Sequence, residues 1–497
     1  VVETVADDIL LAIDQGTSST RAMAFSAAGD AIAVDQQSFE QLYPGPGWVE
    51  HDAEVIWATV ISTCRRVLQL LGESRKPTAI GITNQRETTV LWDRRNGVPI
   101  HPAIVWQDRR TADRCRQLSG GGGEEEVCRK TGLRVDPYFS ATKIAWILDH
   151  VKGAREAAER GHIAFGTIDS FLIWRLTGGR LHLTDATNAS RTALYDIGKG
   201  CWDDALCELF DVPRRVLPEV RDSAGDFGVA DASVLGQALP ISGVAGDQQS
   251  ALVGQSCFAA GDVKSTYGTG AFLVVNTAHH QVPSKHRLLT TIAYRLNGTV
   301  TYALEGSILS AGAAVQWLRD GLGLISQASD VESLAGSAPH SGGVYVVPAF
   351  TGLGAPYWDP DARAAIVGLT RASTRSEIAR ATLDSVAYQT ADLLAAMSAD
   401  GQRPETLKVD GGMAQNALFM QRLADVLGMQ IRRPIDAEST AFGAACLAGL
   451  GCGVYRGIAE VASLKRQETI FEPSLGADER ASELAGWRRA VQRVRSV

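Results

Sequence analysis

The sequence predicts an α/β fold built as two domains that can share a cleft, and three observations carry that prediction. The chain has 497 residues, more than one hydrophobic core comfortably organises. Apolar runs suited to strands covered on both faces alternate with helical periodicities from end to end. Glycine-rich segments that punctuate strand candidates occur in both halves, at residues 16, 268–270 and 411–412.

Composition narrows the class further. The chain is 45% hydrophobic and 21% charged, enough apolar side chain to offset chain entropy and to argue against disorder. A formal net charge of −8 argues against a broad nucleic-acid footprint. The eight cysteines, at positions 64, 115, 128, 201, 207, 257, 446 and 452, form no close metal pair and are too sparse for a disulfide scaffold. Reduced thiols and a cytoplasmic location are therefore expected. The start, VVETVADDILLAIDQG, carries acidic residues where a secretory signal needs basic ones. The weakly polar stretch 441–455 is short and interrupted by glycine, so a buried helix is expected there and no membrane insertion.

In the first half, ILLAI at 9–13 and AIGIT at 79–83 read as interior strands. Between them Ile56, Val60, Cys64, Val67 and Leu71 recur at helical spacing after Asp52, a good N-cap, giving a helix of about twenty residues. GGGEEE at 121–126 reads as a surface turn. A second series follows, with strand candidates at 302–306, 343–350 and 406–412. A long helix at 376–397 presents Ala379, Leu383, Val386, Thr390 and Leu394 as its apolar face, and the 465–497 tail reads as one helix around Trp487, Arg488, Arg489 and Val491. The domains are expected to be 1–254 and 255–497.

Chemistry-bearing residues cluster where strands end. In ILLAIDQGTSSTR at 9–21, Gly16 admits an anion to the backbone, Thr17, Ser18 and Ser19 supply hydroxyl donors, Arg21 supplies a forked cation, and Asp14 suits Mg2+. A plain β-hairpin turn is the alternative. KSTYGTGAF at 264–272 repeats the arrangement with Thr269 between Gly268 and Gly270. Two such loops facing each other can hold a nucleotide between domains. VDGG at 409–412 offers close backbone approach at Gly411 and Gly412, with Asn416 free to bond a ligand or the turn itself. Neither a P-loop nor a dinucleotide fingerprint is present.

For an acceptor, Arg86 and Glu87 in TNQRET combine donor and acceptor as vicinal hydroxyls require, or are exposed neighbours. Trp106, Tyr138 and Phe272 offer flat apolar walls, or ordinary core packing. Asp247 in AGDQQS is the carboxylate placed to orient and deprotonate a hydroxyl, with Gln248 beside it; an Asx-turn is the structural alternative.

Together ILLAIDQGTSSTR, PGWVEHD at 46–52, GITNQRET at 81–88, GDQQSALVG at 246–254, YGTGAF at 267–272, EGSILSAGAAVQWLRDGLG at 305–323, GLGAPYWDP at 352–360 and VDGG resemble the carbohydrate-kinase family with an actin-like ATPase core, and within it the members that phosphorylate glycerol. The resemblance covers about residues 8–485. It implies two RNase H-like domains closing around glycerol and MgATP to form sn-glycerol 3-phosphate and ADP. It places glycerol contacts on Arg86, Glu87, Trp106, Tyr138, Asp247, Gln248 and Phe272, with Asp247 as general base. Nucleotide contacts fall on Thr17, Ser18, Ser19, Arg21, Thr269, Gly312, Gln316, Gly412 and Asn416, with Mg2+ near Asp14 and Asp247. Gly312 and Gln316 rest on the resemblance alone.

A homodimer or homotetramer is also implied. Some bacterial members bind fructose 1,6-bisphosphate through an arginine in the region equivalent to 226–243; this chain has neither arginine nor lysine there, so weak or absent inhibition by that effector is expected. A kinase for a pentulose, gluconate or erythritol would share the ATP loops, and an ATP-driven binding module of the actin kind would not need the polyol groups.

Overall fold

The apolar run at 9–13 forms strand Ile9–Gln15, in which every residue but Asp14 is fully buried. This strand lies inside a six-stranded sheet with the order 229–230, 239–246, 79–84, 9–15, 19–26, 31–38. Ser19–Ser26 and Ala31–Ser38 follow it as antiparallel neighbours, whereas Ala79–Asn84 and Leu239–Gly246 add parallel strands on the other side. The computed structural model describes residues 8–436, 438–464 and 466–496. The acidic stretch 1–7 and the two ends of the 465–497 tail lie outside the described residues.

A second sheet of seven strands repeats the plan. Val263–Tyr267 pairs antiparallel with Ala271–Ala278, which pairs antiparallel with Thr299–Ile308. On its other side Val263–Tyr267 runs parallel to Thr406–Asp410, and that strand runs parallel to Gln430–Pro434. Each sheet thus contains three antiparallel strands extended by two parallel ones; Val229–Ala230 adds an antiparallel edge to the first sheet, and Leu289–Leu296 and Glu468–Phe471 add antiparallel edges to the second. In open sheets of this kind ligands bind beyond the carboxyl ends of the parallel strands, and Asp14, Arg86, Asp247, Gly268 and Gly411 all sit at or just past such ends.

The helices follow from local signals where burial is one-sided. Ala53–Leu71 starts on Asp52, whose side chain accepts from the Glu54 and Val55 amides, and it buries Ile56, Val60, Cys64, Val67 and Leu71. Helix Arg375–Ala399 opens with a capping box between Thr374 and Glu377, but it buries Thr382, Ser385 and Tyr388 as well as Ala379, Leu383, Val386 and Thr390 of the predicted stripe, and Leu393 is buried where Leu394, the last of that stripe, is only half-buried. Neighbours on several sides cover it, so no single face describes it. The segment at 121–126 is a turn only at its start: Gly123–Thr131 is a helix with Glu124, Glu125 and Glu126 in its first turn, where acidic side chains are favoured by the helix dipole. The C-terminal helix Ala477–Val494 buries Trp487 and Val491 against the second-half core. All eight cysteines are free thiols, and among the described residues no helix is long and apolar enough to cross a membrane.

One element crosses the halves. Helix Ser439–Cys452 is almost wholly buried and shares a core with Leu10, Ala12 and Ala79 of the first sheet. Its approach is as close as backbone allows: a Cβ on Gly81 would sit 2.0 Å from the Ala444 carbonyl, and one on Gly443 would sit 1.8 Å from that of Ser250. Glycine at those positions lets the helix pack against the strand and the Asp247–Gly254 helix together.

Candidate active site

Strand Leu239–Gly246 ends where helix Asp247–Gly254 begins, which puts the Asp247 carboxylate at a helix N-terminus, a favourable place for negative charge. The strand's last residue must be glycine because a Cβ on Gly246 would meet the Arg86 side chain at 2.6 Å. Arg86, just past Ala79–Asn84, therefore lies directly over this turn, with Nε 3.3 Å from Asp247 Oδ1 and 3.7 Å from Glu87 Oε1. Its Nη1 donates to Glu305 Oε2 at 2.5 Å and its Nη2 to Glu305 Oε1 at 3.0 Å and to the Tyr138 hydroxyl at 3.1 Å.

The seven residues predicted to meet an acceptor, Arg86, Glu87, Trp106, Tyr138, Asp247, Gln248 and Phe272, all line one cavity of about 160 Å3, together with Thr17, Thr269 and both loop glycines Gly268 and Gly270. Trp106 contributes more than a flat wall. Its ring meets Tyr138 and Phe272 edge-on at 5.8 and 5.7 Å, and its Nε1 donates to Thr17 Oγ1 at 2.9 Å, so the apolar wall also orients a hydroxyl of the first loop. Gln248 is turned by Lys264, whose Nζ donates to its Oε1 at 2.5 Å, leaving the Gln248 amide nitrogen as a donor.

The loops differ in detail from a simple phosphate cradle. The first is a hairpin with Asp14 directly opposite Arg21, and the Arg21 guanidinium pairs with Glu438 and Gln36 instead of pointing into the cavity. The second docks on another helix start: the Gly312 amide donates to Gly268 O and the Ala311 amide to Thr269 O, each at 2.9 Å. A Cβ on Gly312 would lie 2.6 Å from Gly268 O, so its glycine is a packing requirement. Gln316 is exposed on the following helix. Gly411 holds φ +91° against Tyr267, and Gly412 faces open space. Asn416 uses its side-chain oxygen to accept from the Phe419 amide at 2.8 Å, which caps the next helix and leaves its NH2 group available.

Electrostatics gather negative charge around Asp14. Burial pushes its carboxyl up to about 6, Arg21 opposes that, and Asp247 and Asp410 add to it. Asp247 is likewise raised by burial and by Glu87, against the pull of Arg86 and Lys264. Asp410 has a buried Oδ1 with no hydrogen-bond partner among the described residues. A carboxylate raised by acidic neighbours in this way is short of positive charge, and a hard divalent cation relieves that shortage. Among the described residues no three His, Cys, Asp or Glu side chains could hold a metal unaided, whereas Mg2+ characteristically takes one or two carboxylates and completes its shell with phosphate and water. The donor set fits a cation that arrives with a nucleotide.

Four charged residues were not singled out in the sequence. Glu305 accepts from both Arg86 and Arg191, the latter through Nη2 at 2.9 Å, while Arg191 Nε donates to Glu87 Oε1 at 2.8 Å. Lys143 Nζ donates to the Tyr138 carbonyl at 2.7 Å and to the Glu87 carbonyl at 3.2 Å, and Lys264 holds Gln248. A glutamate inside the otherwise apolar strand run YALEG was the one local signal.

Known proteins resemble this chain along nearly its whole length. Residues 9–254 match the N-terminal domain, and residues 263–452 the C-terminal domain, of the FGGY family of carbohydrate kinases. The chain is 57% identical over 488 residues to "Glycerol kinase" of Rhodospirillum centenum, covering 98% of each chain, and 57% identical to "Glycerol kinase 1" of Pseudomonas aeruginosa, covering 98% of this chain and 99% of that one. Among solved structures it is similar to Plasmodium falciparum glycerol kinase with ADP, at a TM-score of 0.90 and 36% identity over 98% of both chains. It shares its fold with gluconate kinase from Lactobacillus acidophilus, at a TM-score of 0.87 and 20% identity over 98% of this chain and 97% of that one. The chain therefore belongs to the FGGY family of carbohydrate kinases.

Proposed function

We propose that the chain transfers the γ-phosphoryl group of ATP to glycerol, giving glycerol 3-phosphate and ADP. The observation that carries this reading is the cavity of about 160 Å3 in which Asp247, Arg86, Glu87 and Gln248 meet beside the second glycine loop. Drug-sized ligands occupy about 300–1,000 Å3, so the space favours the smallest polyols. Full-length similarity to glycerol kinases supports the same acceptor.

In this reading Asp247 is the general base. Its carboxylate takes the proton of a terminal hydroxyl as that oxygen bonds to the γ-phosphorus and the bond to ADP breaks. Arg86 donates to the acceptor, Glu87 accepts from it, the Gln248 amide donates to it, and Tyr138, Trp106 and Phe272 exclude water around its carbons. Thr17, Ser18, Ser19, Arg21, Thr269, Gly312, Gln316, Gly412 and Asn416 serve the nucleotide. Asp14 and Asp247 are the residues that would hold Mg2+ arriving with it, and the ion would supply positive charge to offset that of the phosphate oxygens. The two sheets correspond to RNase H-like domains divided as 1–254 and 255–497, the first holding most of the glycerol site and the second most of the nucleotide site. The repeated strand plan supports that division.

A cytoplasmic homodimer or homotetramer completes the reading. Inhibition by fructose 1,6-bisphosphate is expected to be weak, because residues 226–243 contain no arginine or lysine. A steady-state assay with and without the sugar bisphosphate tests this, and strong inhibition at physiological concentration would overturn it. The deciding experiment offers the purified chain glycerol, D-xylulose, gluconate and erythritol with MgATP and identifies the phosphorylated product. A larger substrate preferred by about tenfold in kcat/KM would reject glycerol as the acceptor.

A further inference from the structure

The polar groups that face the acceptor cavity are held from behind by two charged residues outside it. Arg86 has five N–H donors, and its four Nη hydrogens have partners: Nη1 points at Glu305 Oε2 and, at 3.4 Å, at Gln249 Oε1, while Nη2 serves Glu305 Oε1 and the Tyr138 hydroxyl. Only Nε has no hydrogen bond among the described residues, and it lies on the Asp247 side. Glu87 is divided in the same way, with Oε1 taken by Arg191 and Oε2 without a hydrogen bond among the described residues. Arg191 closes the ring by reaching Glu305. All four side chains are at most 2% exposed.

Glu305 belongs to the second half of the chain, on strand Thr299–Ile308, while Arg86, Glu87 and Arg191 belong to the first. We propose that Glu305 and Arg191 are positioning residues that set the hydrogen-bonding count of the acceptor pocket: they occupy the rear of Arg86 and of Glu87, so that one donor and one acceptor face the cavity, and they make that count depend on the two halves being in register. One donor beside one acceptor suits the hydroxyls of a neutral polyol and disfavours a carboxylate, which finds no free guanidinium fork and meets Glu87 and Asp247 instead. The inference rests on the acceptor reading above and adds what selects a neutral triol over its acid.

The experiment compares the parent with Glu305→Gln and Arg191→Lys, reading thermal midpoint, kcat, KM for glycerol, KM for ATP, and inhibition by D-glycerate. Glu305→Gln frees part of the Arg86 fork, so glycerol KM is expected to rise by about tenfold or more with ATP KM within about twofold, and glycerate to become an inhibitor competitive with glycerol. Arg191→Lys keeps the charge but cannot reach both carboxylates, and is expected to raise glycerol KM by about fivefold with the same unchanged ATP KM. If Glu305→Gln does not fold, Arg191→Lys decides alone. Glycerol KM within about twofold of the parent in the folded variants, or equal rises for glycerol and ATP, would overturn the positioning role. A parent inactive on glycerol overturns the acceptor reading and this inference with it, whereas an active parent with indifferent variants overturns the inference only.

Discussion

At and behind the acceptor cavity Arg86, Glu87, Arg191 and Glu305 are buried and ion-paired, whereas on the nucleotide side Thr269, Gly312 and Gly412 present backbone and one hydroxyl, with Gln316 exposed on its helix. The two regions meet at Gly268–Gly270 yet tolerate change differently. Buried charges leave a costly orphan when any one partner is removed, so that side is specific and brittle. Backbone amides and glycine turns offer the same donors whatever the neighbouring side chains, so the other side depends on conformation and close approach.

The sharpest way to break this contrast is at Asp247, the residue common to both regions. Asp247→Asn should keep much of the nucleotide binding and lower kcat by roughly 10² to 10⁴, the usual loss of a general base. Single-turnover phosphorylation on a folded sample with ADP affinity measured in parallel checks it, and near-normal turnover would reject the base assignment.

Acid stability tests the brittle side without substrate. Burial alone would raise Glu305, but Arg191 and Arg86 outweigh it and hold its carboxyl at about 2, against an ordinary 4.5. A depressed folded pKa contributes stability that is complete above the unfolded value and is lost as pH falls from 4.5 through about 2, a contribution of roughly 3 kcal/mol. Denaturant unfolding at neutral pH and again inside that window should show the parent losing more than Glu305→Gln. Equal losses would mean that the ion cluster is not what titrates.

On the conformational side, Gly411→Ala forces a side chain into φ +91° with its Cβ 2.5 Å from Tyr267 O. A cost of about 1–3 kcal/mol is expected, with ATP KM raised and glycerol KM little changed. The smallest effect belongs to Gln316→Ala, an exposed position, where a thermal midpoint unchanged and an ATP KM raised by about threefold are expected. An equal rise in glycerol KM for either variant would erase the distinction between the regions.

How much was legible in the chain depended on how local the cause was. Helix Ala53–Leu71 was readable because Asp52 caps it and one stripe is buried. The surface turn at 121–126 was misread because the first turn of Gly123–Thr131 carries three glutamates that look like loop residues when the dipole is ignored. Arg21 reads as a phosphate ligand from its loop, and nothing near it in sequence announces Glu438, with which its guanidinium pairs. Arg191 carries no local signal and Glu305 only that of a charge in an apolar strand, because their partners are remote: Glu305 meets Arg86 from 219 positions away in the chain.

The amino-acid sequence by itself determined the alternation of strands and helices, the glycines at strand ends and the side chains able to serve a polyol and a nucleotide, because periodicity, capping and turn chemistry act within a few residues. Tertiary structure alone decided which edge of Arg86 and which oxygen of Glu87 face the cavity, and that a late helix packs on the first sheet. Those outcomes depend on partners brought together by closing long stretches of chain, and a charge is committed only when its buried counter-ion is in place.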